Sequence, residues 1–132
     1  MTETEWQGAP KDISKFVGFI YRIENKANGR FYIGQKKFWF KRKLKPLKGK
    51  KKFRHRIIES DWKSYYGSCM ELLEDIRLYS KENFTRTILM CCTSKAWMNY
   101  YETKEQFDRN ALLDSRSYNG IINCRISINQ LV

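Results

Sequence analysis

Two runs rich in Phe, Ile and Tyr lie near the N-terminus and flank a polar turn sequence. Residues 18–24 and 30–34 carry the β-branched and aromatic side chains that strands favour, and the dipeptide Asn28-Gly29 between them is a strong hairpin signal. The pattern therefore predicts an antiparallel hairpin.

The two tyrosines of this hairpin, Tyr21 and Tyr32, are an odd number of residues apart. Any loop with an even number of residues then places both phenols on one face of the sheet. A four-residue loop at residues 25–28 would set them directly opposite, whereas a two-residue turn at Asn28-Gly29 would offset them by four positions, roughly 13 Å. Cooperation between the phenols favours the longer loop.

Aromatic and basic residues follow the hairpin. The segment 37–44 (KFWFKRKL) is predicted to form a short helix that ends before Pro46, because the residue preceding a proline is disfavoured in the helical region. The basic stretch around Gly49 is predicted to be a loop.

Three further elements are indicated in the second half. Ser68 and Glu71 form a capping-box pattern before a helix at about 69–79. Residues 84–92 (FTRTILMCC) predict a third strand that can be central to the sheet. Ser94 is a candidate cap for a helix at 94–113 with an aromatic stripe facing inward, and the tail to Val132 is expected to pack as an edge strand.

The order of these elements predicts an α/β fold of the α+β type. We expect a small, mostly antiparallel three-stranded sheet flanked by helices. Residues 1–16 are polar and are expected to form a loosely attached N-terminal arm, and residues 17–132 are expected to form a single domain.

Charge is concentrated in one part of the chain. The net charge is +12, from 26 Lys and Arg against 14 Asp and Glu, and ten of the basic residues lie between Lys41 and Arg56, where there is no acid. A localised positive segment is typical of a surface that binds a polyanion. The alternative is a solvated lysine loop that only maintains solubility. We expect no membrane partner, since the segment lacks the regular apolar face of a surface helix.

The cysteines and the apolar runs exclude other classes. Cys69, Cys91, Cys92 and Cys124 show neither the paired spacing of a zinc site nor a disulfide framework, so they are expected to be reduced. No apolar run reaches the roughly 18 residues of a membrane span, and the N-terminus lacks a signal-peptide pattern. We therefore expect a soluble, cytoplasmic protein.

Few residues are available for catalysis. His55 is the only histidine, so a histidine pair, a zinc triad and a Ser-His-Asp triad are excluded. No glycine-rich phosphate loop is present. Any catalysis must use Tyr, Arg, Lys and Glu.

A set of spaced motifs resembles the GIY-YIG nuclease family. Phe19-Ile20-Tyr21 is followed after ten residues by Tyr32-Ile33-Gly34, and Arg42 lies ten residues beyond the second tyrosine. The segment 94–102, which ends in Tyr100-Tyr101-Glu102, is similar to the helix that carries the family's metal-binding glutamate. Tyr118-Asn119 resembles the closing pair of the family, and residues 62–68 (WKSYYGS) resemble a motif of phage-encoded members.

This chain departs from the family pattern in two places. Phe19 stands where the family name has glycine, and the basic residues at about 43–56 form an insertion.

The resemblance implies a role for five catalytic residues. Tyr21 would be the general base or would position the attacking water, and Tyr32 would lie beside it on the scissile phosphate. A phenol with a pKa near ~10 needs a nearby cation to act as a base, such as Arg42, Lys36 or Lys41. Arg42 would hold the phosphate, Glu102 would bind one Mg²⁺ or Mn²⁺, and Asn119 would orient a phosphate or support the site.

Some assignments stay open. Glu105 lies one helical turn beyond Glu102 and is the alternative metal ligand. Asn119 has an alternative role as a turn residue before Gly120. The predicted nucleic-acid contacts are Lys36, Lys41, Lys43, Lys50, Lys51, Lys52, Arg54, His55 and Tyr66.

The function predicted from these observations is divalent-metal-dependent hydrolysis of DNA by an endonuclease of phage or mobile-element type. The alternative keeps the fold without the reaction, as a nucleic-acid-binding module. No cofactor other than the metal is expected. One site cuts one strand at a time, so a double-strand cut would need a homodimer or sequential action.

Overall fold

The computed structural model describes residues 6–132, and it contains five strands and three helices within that range. They follow the order β1 (Gly18–Asn25), β2 (Phe31–Lys37), β3 (Trp39–Leu44), β4 (Arg54–Glu59), α1 (Met70–Tyr79), β5 (Phe84–Cys92), α2 (Lys95–Asp108) and α3 (Ile128–Leu131). Short 3-10 turns at Trp62–Ser64 and Lys81–Asn83 connect them.

Three of the strands form one antiparallel sheet with the order β2-β1-β5. This confirms the predicted α+β fold with a small antiparallel sheet and flanking helices. The suggestion that residues 84–92 form the central strand is wrong, because β1 pairs with both neighbours and β5 lies at an edge. Central β1 is buried on both faces, which explains the weak alternation of its sequence.

Each face of the sheet supports its own apolar core. Phe19, Tyr21 and Ile23 of β1 pack with Leu72 and Ile76 of α1 on one face. On the other face, Ile20 of β1 and Ile33 of β2 pack with Met98 of α2. The fold therefore has three layers, with α1 and α2 on opposite sides of the sheet.

The hairpin loop contains four residues, Lys26 to Gly29. The Asn25 amide donates to the Arg30 carbonyl at 2.7 Å and closes the loop. In this register Tyr21 lies opposite Gly34 and Tyr32 lies opposite Ile23. The prediction that both phenols share one face is confirmed, but the directly opposed arrangement is wrong, because the loop begins one residue later than expected and shifts the pair to a diagonal.

The predicted helix at 37–44 is wrong, since residues 39–44 form β3. This strand pairs with β4, which arises from the segment interpreted as a basic loop. Phe38 is buried in the core between β2 and β3, and the Trp39 indole donates to the Phe16 carbonyl at 3.0 Å. Phe38 and Trp39 therefore fix the beginning of β3 against the core. Pairing of β3 with β4 then forms a second, two-stranded sheet.

Both predicted helices are present with changed boundaries. Helix α1 begins at Met70 after Cys69, which makes no side-chain cap, so the Ser68 capping box is wrong. Helix α2 follows Ser94, whose side chain accepts from the Trp97 amide at 3.2 Å, and it ends at Asp108 rather than at residue 113.

The inward-facing aromatic stripe predicted for α2 is present only in part, since Trp97 and Tyr101 pack against the core. Tyr100 and Phe107 are exposed, whereas Met98 and Gln106 are the buried residues of this helix.

The C-terminal segment packs on the outer edge of β2. The Phe31 amide donates to the Arg116 carbonyl at 3.0 Å, and the Tyr118 amide donates to the Phe31 carbonyl at 2.8 Å. Further along, residues 128–131 form α3 instead of the expected edge strand. The Tyr118 hydroxyl donates to Asp75 of α1 at 2.6 Å, which ties this segment to the helix layer.

The expected loose arm is wrong for its described part, and residues 1–5 lie outside the described residues. Trp6 is 7% exposed and packs in the core below α1, and its indole donates to the Trp62 carbonyl at 2.7 Å. Gln7 exchanges backbone hydrogen bonds with Arg86 and Ile88 of β5. The arm therefore closes one edge of the sheet.

The cysteines behave as predicted. All four are free thiols, and Cys91 and Cys92 contact the two different cores on opposite faces of β5. Within residues 6–132, no helix combines the length and the hydropathy that crossing a bilayer requires.

Replacing Trp6 should show how firmly the arm is attached. We expect Trp6→Ala to lower the free energy of unfolding by about 3–5 kcal/mol, because it removes a large buried side chain. Urea unfolding followed by circular dichroism measures this. Phe107→Ala, at an aromatic residue that is 64% exposed, is the control and should change stability little. Equal small effects of both variants would contradict the packed arm.

Candidate active site

The two hairpin tyrosines lie side by side on the α1 face of the sheet. Their ring centroids are 6.1 Å apart, and Tyr21 is 1% exposed while Tyr32 is half-buried. Gly34 makes this arrangement possible. A Cβ atom at this position would come within 2.5 Å of the Tyr21 hydroxyl and 2.9 Å of the Tyr32 ring.

A third tyrosine completes the group. Tyr65 lies edge-on to Tyr21 with ring centroids 5.9 Å apart. Gly67 follows it with a φ of +93°, and a Cβ atom there would lie 3.4 Å from the Tyr21 hydroxyl. The WKSYYGS segment thus approaches the hairpin closely, and glycine provides both the backbone conformation and the space.

Arg86 of β5 holds this segment in place. It is 1% exposed, and its guanidinium donates to the carbonyl oxygens of Lys63 at 3.1 Å and Tyr65 at 2.8 Å. The same group stacks on the rings of Trp6 and Tyr66. Arg86 therefore connects the arm, the sheet and the backbone that carries Tyr65.

Lys36 brings a positive charge to the tyrosine group. Its ammonium lies 4.1 Å from the Tyr65 ring centroid, 4.8 Å from the Phe40 ring centroid and 2.6 Å from the Asp61 carboxylate. The side chain is largely buried, so its charge acts in a medium less polar than water.

Glu102 reaches the same region from α2, on the other face of the sheet. Gln35 of β2 orients it: the Gln35 amide nitrogen donates to Glu102 at 2.7 Å and to Asn99 at 2.9 Å. The Gln35 oxygen accepts from Lys95 at 2.6 Å. Burial raises the pKa of Glu102 above its ordinary value, and Gln35 and Lys95 offset part of that shift.

Glu105 is engaged elsewhere. Its carboxylate accepts from the Arg109 guanidinium at 2.8 Å along the same helix. Of the two acids that the sequence left open, the geometry therefore favours Glu102 as the one that faces the tyrosines.

One cleft brings the two sides together at the outer edge of β2. It has a volume of about 580 Å³, and Tyr32, Glu102 and Asn119 are among its lining residues, together with Ser68, Gln106 and Tyr118. Because β2 is an edge strand, side chains from both faces of the sheet can meet there. Tyr21 lies behind Tyr32.

Asn119 pairs with the backbone of β2. Its side-chain oxygen accepts from the Ile33 amide and its nitrogen donates to the Ile33 carbonyl, both at 2.9 Å. The side chain thus replaces a strand partner at the edge beside the cleft. Asn119 was expected either to orient a phosphate or to support the site, and this contact fits support of the site.

The phenols are held in their neutral form. Burial raises the pKa of Tyr21 well above its ordinary value, and the neighbouring hydroxyls of Tyr65 and Tyr32 add to the shift. Burial also raises the pKa of Tyr32, although Ser68 acts in the opposite direction. Both tyrosines therefore carry hydroxyl protons at neutral pH.

Arg42 lies outside the cleft. It is exposed on β3, opposite Arg56 of β4, rather than on the helix that the sequence predicted. Phe40, two positions earlier on the same face of this strand, contacts Lys36. Arg42 therefore lies about 7 Å further along a surface that begins at the tyrosine group.

The other predicted nucleic-acid contacts fall into two environments. Tyr66 is buried against Arg86, so a contact between Tyr66 and nucleic acid stays a prediction. The remaining basic residues outside the cleft are exposed on β3, on β4 or in the connection between them: Lys41, Lys43, Lys50, Lys51, Lys52, Arg54 and His55.

Sequence reasoning missed four residues of the site: Gln35, Tyr65, Ser68 and Lys95. Tyr65 and Ser68 belong to the WKSYYGS segment, and Gln35 directly follows the second tyrosine motif, so their positions next to motifs were the available signal. Lys95 lies in the motif segment 94–102, but only the folded chain brings α2 against β2 and shows its contact with Gln35.

The fold and the cleft define a domain of the GIY-YIG type, with the tyrosine pair on the hairpin and the glutamate on a later helix. The family model described as "Putative endonuclease segE, GIY-YIG domain" matches residues 1–122, which include the arm. The chain belongs to this family of nucleases. No curated protein and no solved structure matches it significantly.

The half-buried carboxylate of Glu102 predicts a pH-dependent effect on stability. A raised folded-state pKa means that ionised Glu102 destabilises the folded protein, a cost that is absent below pH 4.5 and grows as the pH rises through the folded value. We expect Glu102→Gln to raise the melting temperature at pH 7 and to lose that gain towards pH 4.

The control is Glu105→Gln, which breaks the Arg109 ion pair and should not stabilise the protein at either pH. Thermal unfolding of the three proteins at both pH values provides the measurement. An unchanged or lower melting temperature of Glu102→Gln at pH 7 would contradict the proposed cost of burial.

Proposed function

We propose that this protein is a divalent-metal-dependent DNA endonuclease. The observation that carries the proposal is the meeting of the Glu102 carboxylate and the Tyr32 phenol in one open cleft, with Tyr21 packed behind. A phosphodiester in this cleft would lie between an acid able to hold a cation and a group of hydroxyl donors.

The residues of the cleft fit a hard divalent cation. Glu102 is a carboxylate oriented by Gln35 and open to a cavity with room for phosphate and water. Mg²⁺ and Mn²⁺ accept one or two carboxylates and take their other ligands from water and substrate phosphates. Within residues 6–132 no group of three or more His, Cys, Asp or Glu residues could hold a metal ion by itself. Water and substrate phosphates would therefore supply most of the ligands of an ion bound by Glu102. When bound, the ion supplies charge that stabilises the leaving oxygen.

The tyrosines act as hydroxyl groups in this proposal. Their raised pKa values disfavour the phenolate, so of the two roles considered for Tyr21 we favour positioning the attacking water over acting as a general base. Tyr32 borders the open cleft and would donate to a phosphate oxygen. Ser68 beside it would keep the phenol oriented.

Lys36 and Arg42 would have different roles in binding the substrate. Lys36 lies at the tyrosine group and would stabilise the developing negative charge of the phosphate. Arg42 lies on the exposed surface of β3 and would hold a phosphate or base outside the cleft. Lys36 therefore lies nearer to the tyrosine group than Arg42 does.

The partner proposed is DNA, and the protein would act in the cytoplasm of a cell, as expected of an enzyme from a phage or mobile element. A monomer with one such cleft would nick one strand. Cutting both strands would need a homodimer or two sequential reactions.

Cleavage of supercoiled plasmid tests the reaction. We expect the wild-type protein to nick plasmid in Mg²⁺ or Mn²⁺ and to lose activity in EDTA. Tyr21→Phe should slow nicking by about 10²-fold, the scale of the loss when a reacting group is misplaced. Glu102→Ala should abolish nicking with either metal, because it removes the proposed metal ligand.

Two variants serve as controls for that experiment. Tyr100→Phe alters an exposed tyrosine of α2, and Glu105→Ala alters the acid paired with Arg109. Both should retain wild-type nicking. If the wild-type protein fails to nick several DNA substrates with either metal, the nuclease proposal is wrong.

The alternative function, binding nucleic acid without cutting it, rests on the exposure of the basic segment. Replacing Lys50, Lys51 and Lys52 by Gln should flatten the dependence of log affinity on log salt by about one unit for each phosphate that is no longer neutralised. The matched control replaces the exposed residues Lys11, Lys15 and Lys26 by Gln and should leave the slope unchanged. An identical slope in both variants would make the basic segment a solubility feature.

A further inference from the structure

The β3–β4 hairpin, called here the ribbon (residues 39–59), is a two-stranded sheet that joins the core through Trp39 and is otherwise largely exposed. Residues 41–43 and 54–57 are exposed, and Ile57 is 70% exposed. A two-stranded sheet with little packing behind it is only marginally stable in water. A ligand bound along these exposed residues would add stability to the ribbon.

Like charges face each other across the ribbon. Arg42 is directly opposite Arg56. Such pairs destabilise a sheet by repulsion unless an anion lies between or above them. Their arrangement therefore costs stability in the free protein and favours binding to a polyanion.

The pleat separates the two kinds of basic side chain. Residues 40, 42 and 44 of β3 share a face with residues 54, 56 and 58 of β4, because the register pairs 42 with 56 and 44 with 54. All three arginines of the basic segment, Arg42, Arg54 and Arg56, lie on this face. The opposite face carries Lys41, Lys43 and His55, and the connection carries only lysines among its basic residues.

The arginine face continues the surface of the candidate active site. Phe40 belongs to this face and lies 4.8 Å from the Lys36 ammonium, which in turn contacts Tyr65. With a rise of about 3.4 Å per residue, Arg42 lies about 7 Å beyond Phe40 and Arg54 about 14 Å beyond it. These distances correspond to about two to four base pairs along a duplex.

We propose that the arginine face of the ribbon enters the major groove of duplex DNA and reads guanine close to the cleavage position. The major groove is about 12 Å wide and admits a two-stranded ribbon. Guanidinium forks match the O6 and N7 acceptors of guanine, whereas lysines suit phosphates as point charges. The Arg54 guanidinium already donates to the Lys45 carbonyl at 3.3 Å, which limits its freedom before binding.

RNA fits this face less well, since the major groove of an A-form helix is deep and narrow. The inference rests on the proposed function only in taking DNA as the ligand. It adds sequence readout by the domain itself, next to the site of cleavage.

Selection from a random 30-base-pair DNA library tests the proposal. The full chain is used in EDTA, so that binding is measured without cleavage. We expect enrichment of guanine at fixed positions within about half a helical turn of one another. Arg42→Lys/Arg54→Lys/Arg56→Lys keeps the charge but removes the forks, and it should reduce this preference about ten-fold.

Two comparisons make the readout specific. Replacing guanine by 7-deazaguanine in a selected duplex removes N7 and keeps O6, so it should weaken wild-type binding part of the way towards that of an unselected duplex. The variant with Lys50, Lys51 and Lys52 replaced by Gln should bind all sequences more weakly and keep the guanine preference. A guanine preference that is undiminished in the arginine variant, or binding that is unchanged with 7-deazaguanine, would overturn the proposal, as would equal preference on duplex RNA.

The same experiment separates this proposal from the proposed reaction. Guanine selection that disappears in the arginine variant supports the ribbon as a reader even if plasmid nicking fails. Nicking by a protein that selects no sequence overturns the readout and leaves the nuclease proposal intact.

Discussion

The close approach of Tyr21 to Gly34 is the constraint on which the rest of the structure depends. A side chain at Gly34 would collide with both phenols, so the diagonal tyrosine pair requires glycine opposite Tyr21. The four-residue loop supplies that register, and Gly67 repeats the requirement from the opposite direction. The candidate active site thus depends on the packing of three tyrosine rings and two glycines over one face of the sheet.

The cleft owes its composition to the edge position of β2. A side chain on one face of a sheet is normally separated from the other face, but at an edge Glu102 and Tyr32 can border the same space. Gln35 fixes the carboxylate and Asn119 occupies the open backbone groups of Ile33. The neutral phenols and the ionisable acid have different environments because Tyr21 is enclosed, whereas Glu102 has polar partners.

Stability and function oppose each other in two places. Glu102 is half-buried at a cost to folding, and the ribbon places like charges opposite each other without a core behind them. Both features are offset by the packed half of the molecule, where Trp6, Arg86 and the α1 layer hold the WKSYYGS segment against the hairpin. Such local costs are typical of sites that bind charged ligands.

The sequence by itself determined the tyrosine hairpin, both long helices, the third strand and the α+β class, because these depend on local periodicity and turn residues. The resemblance of its motifs to the GIY-YIG family also singled out Tyr21, Tyr32 and Glu102. Tertiary structure alone decided the register of the phenols, the choice between Glu102 and Glu105, and the extended form of residues 39–44. These depend on partners distant in the chain: β3 needs β4, and Glu102 needs Gln35. No local pattern can encode such a pairing.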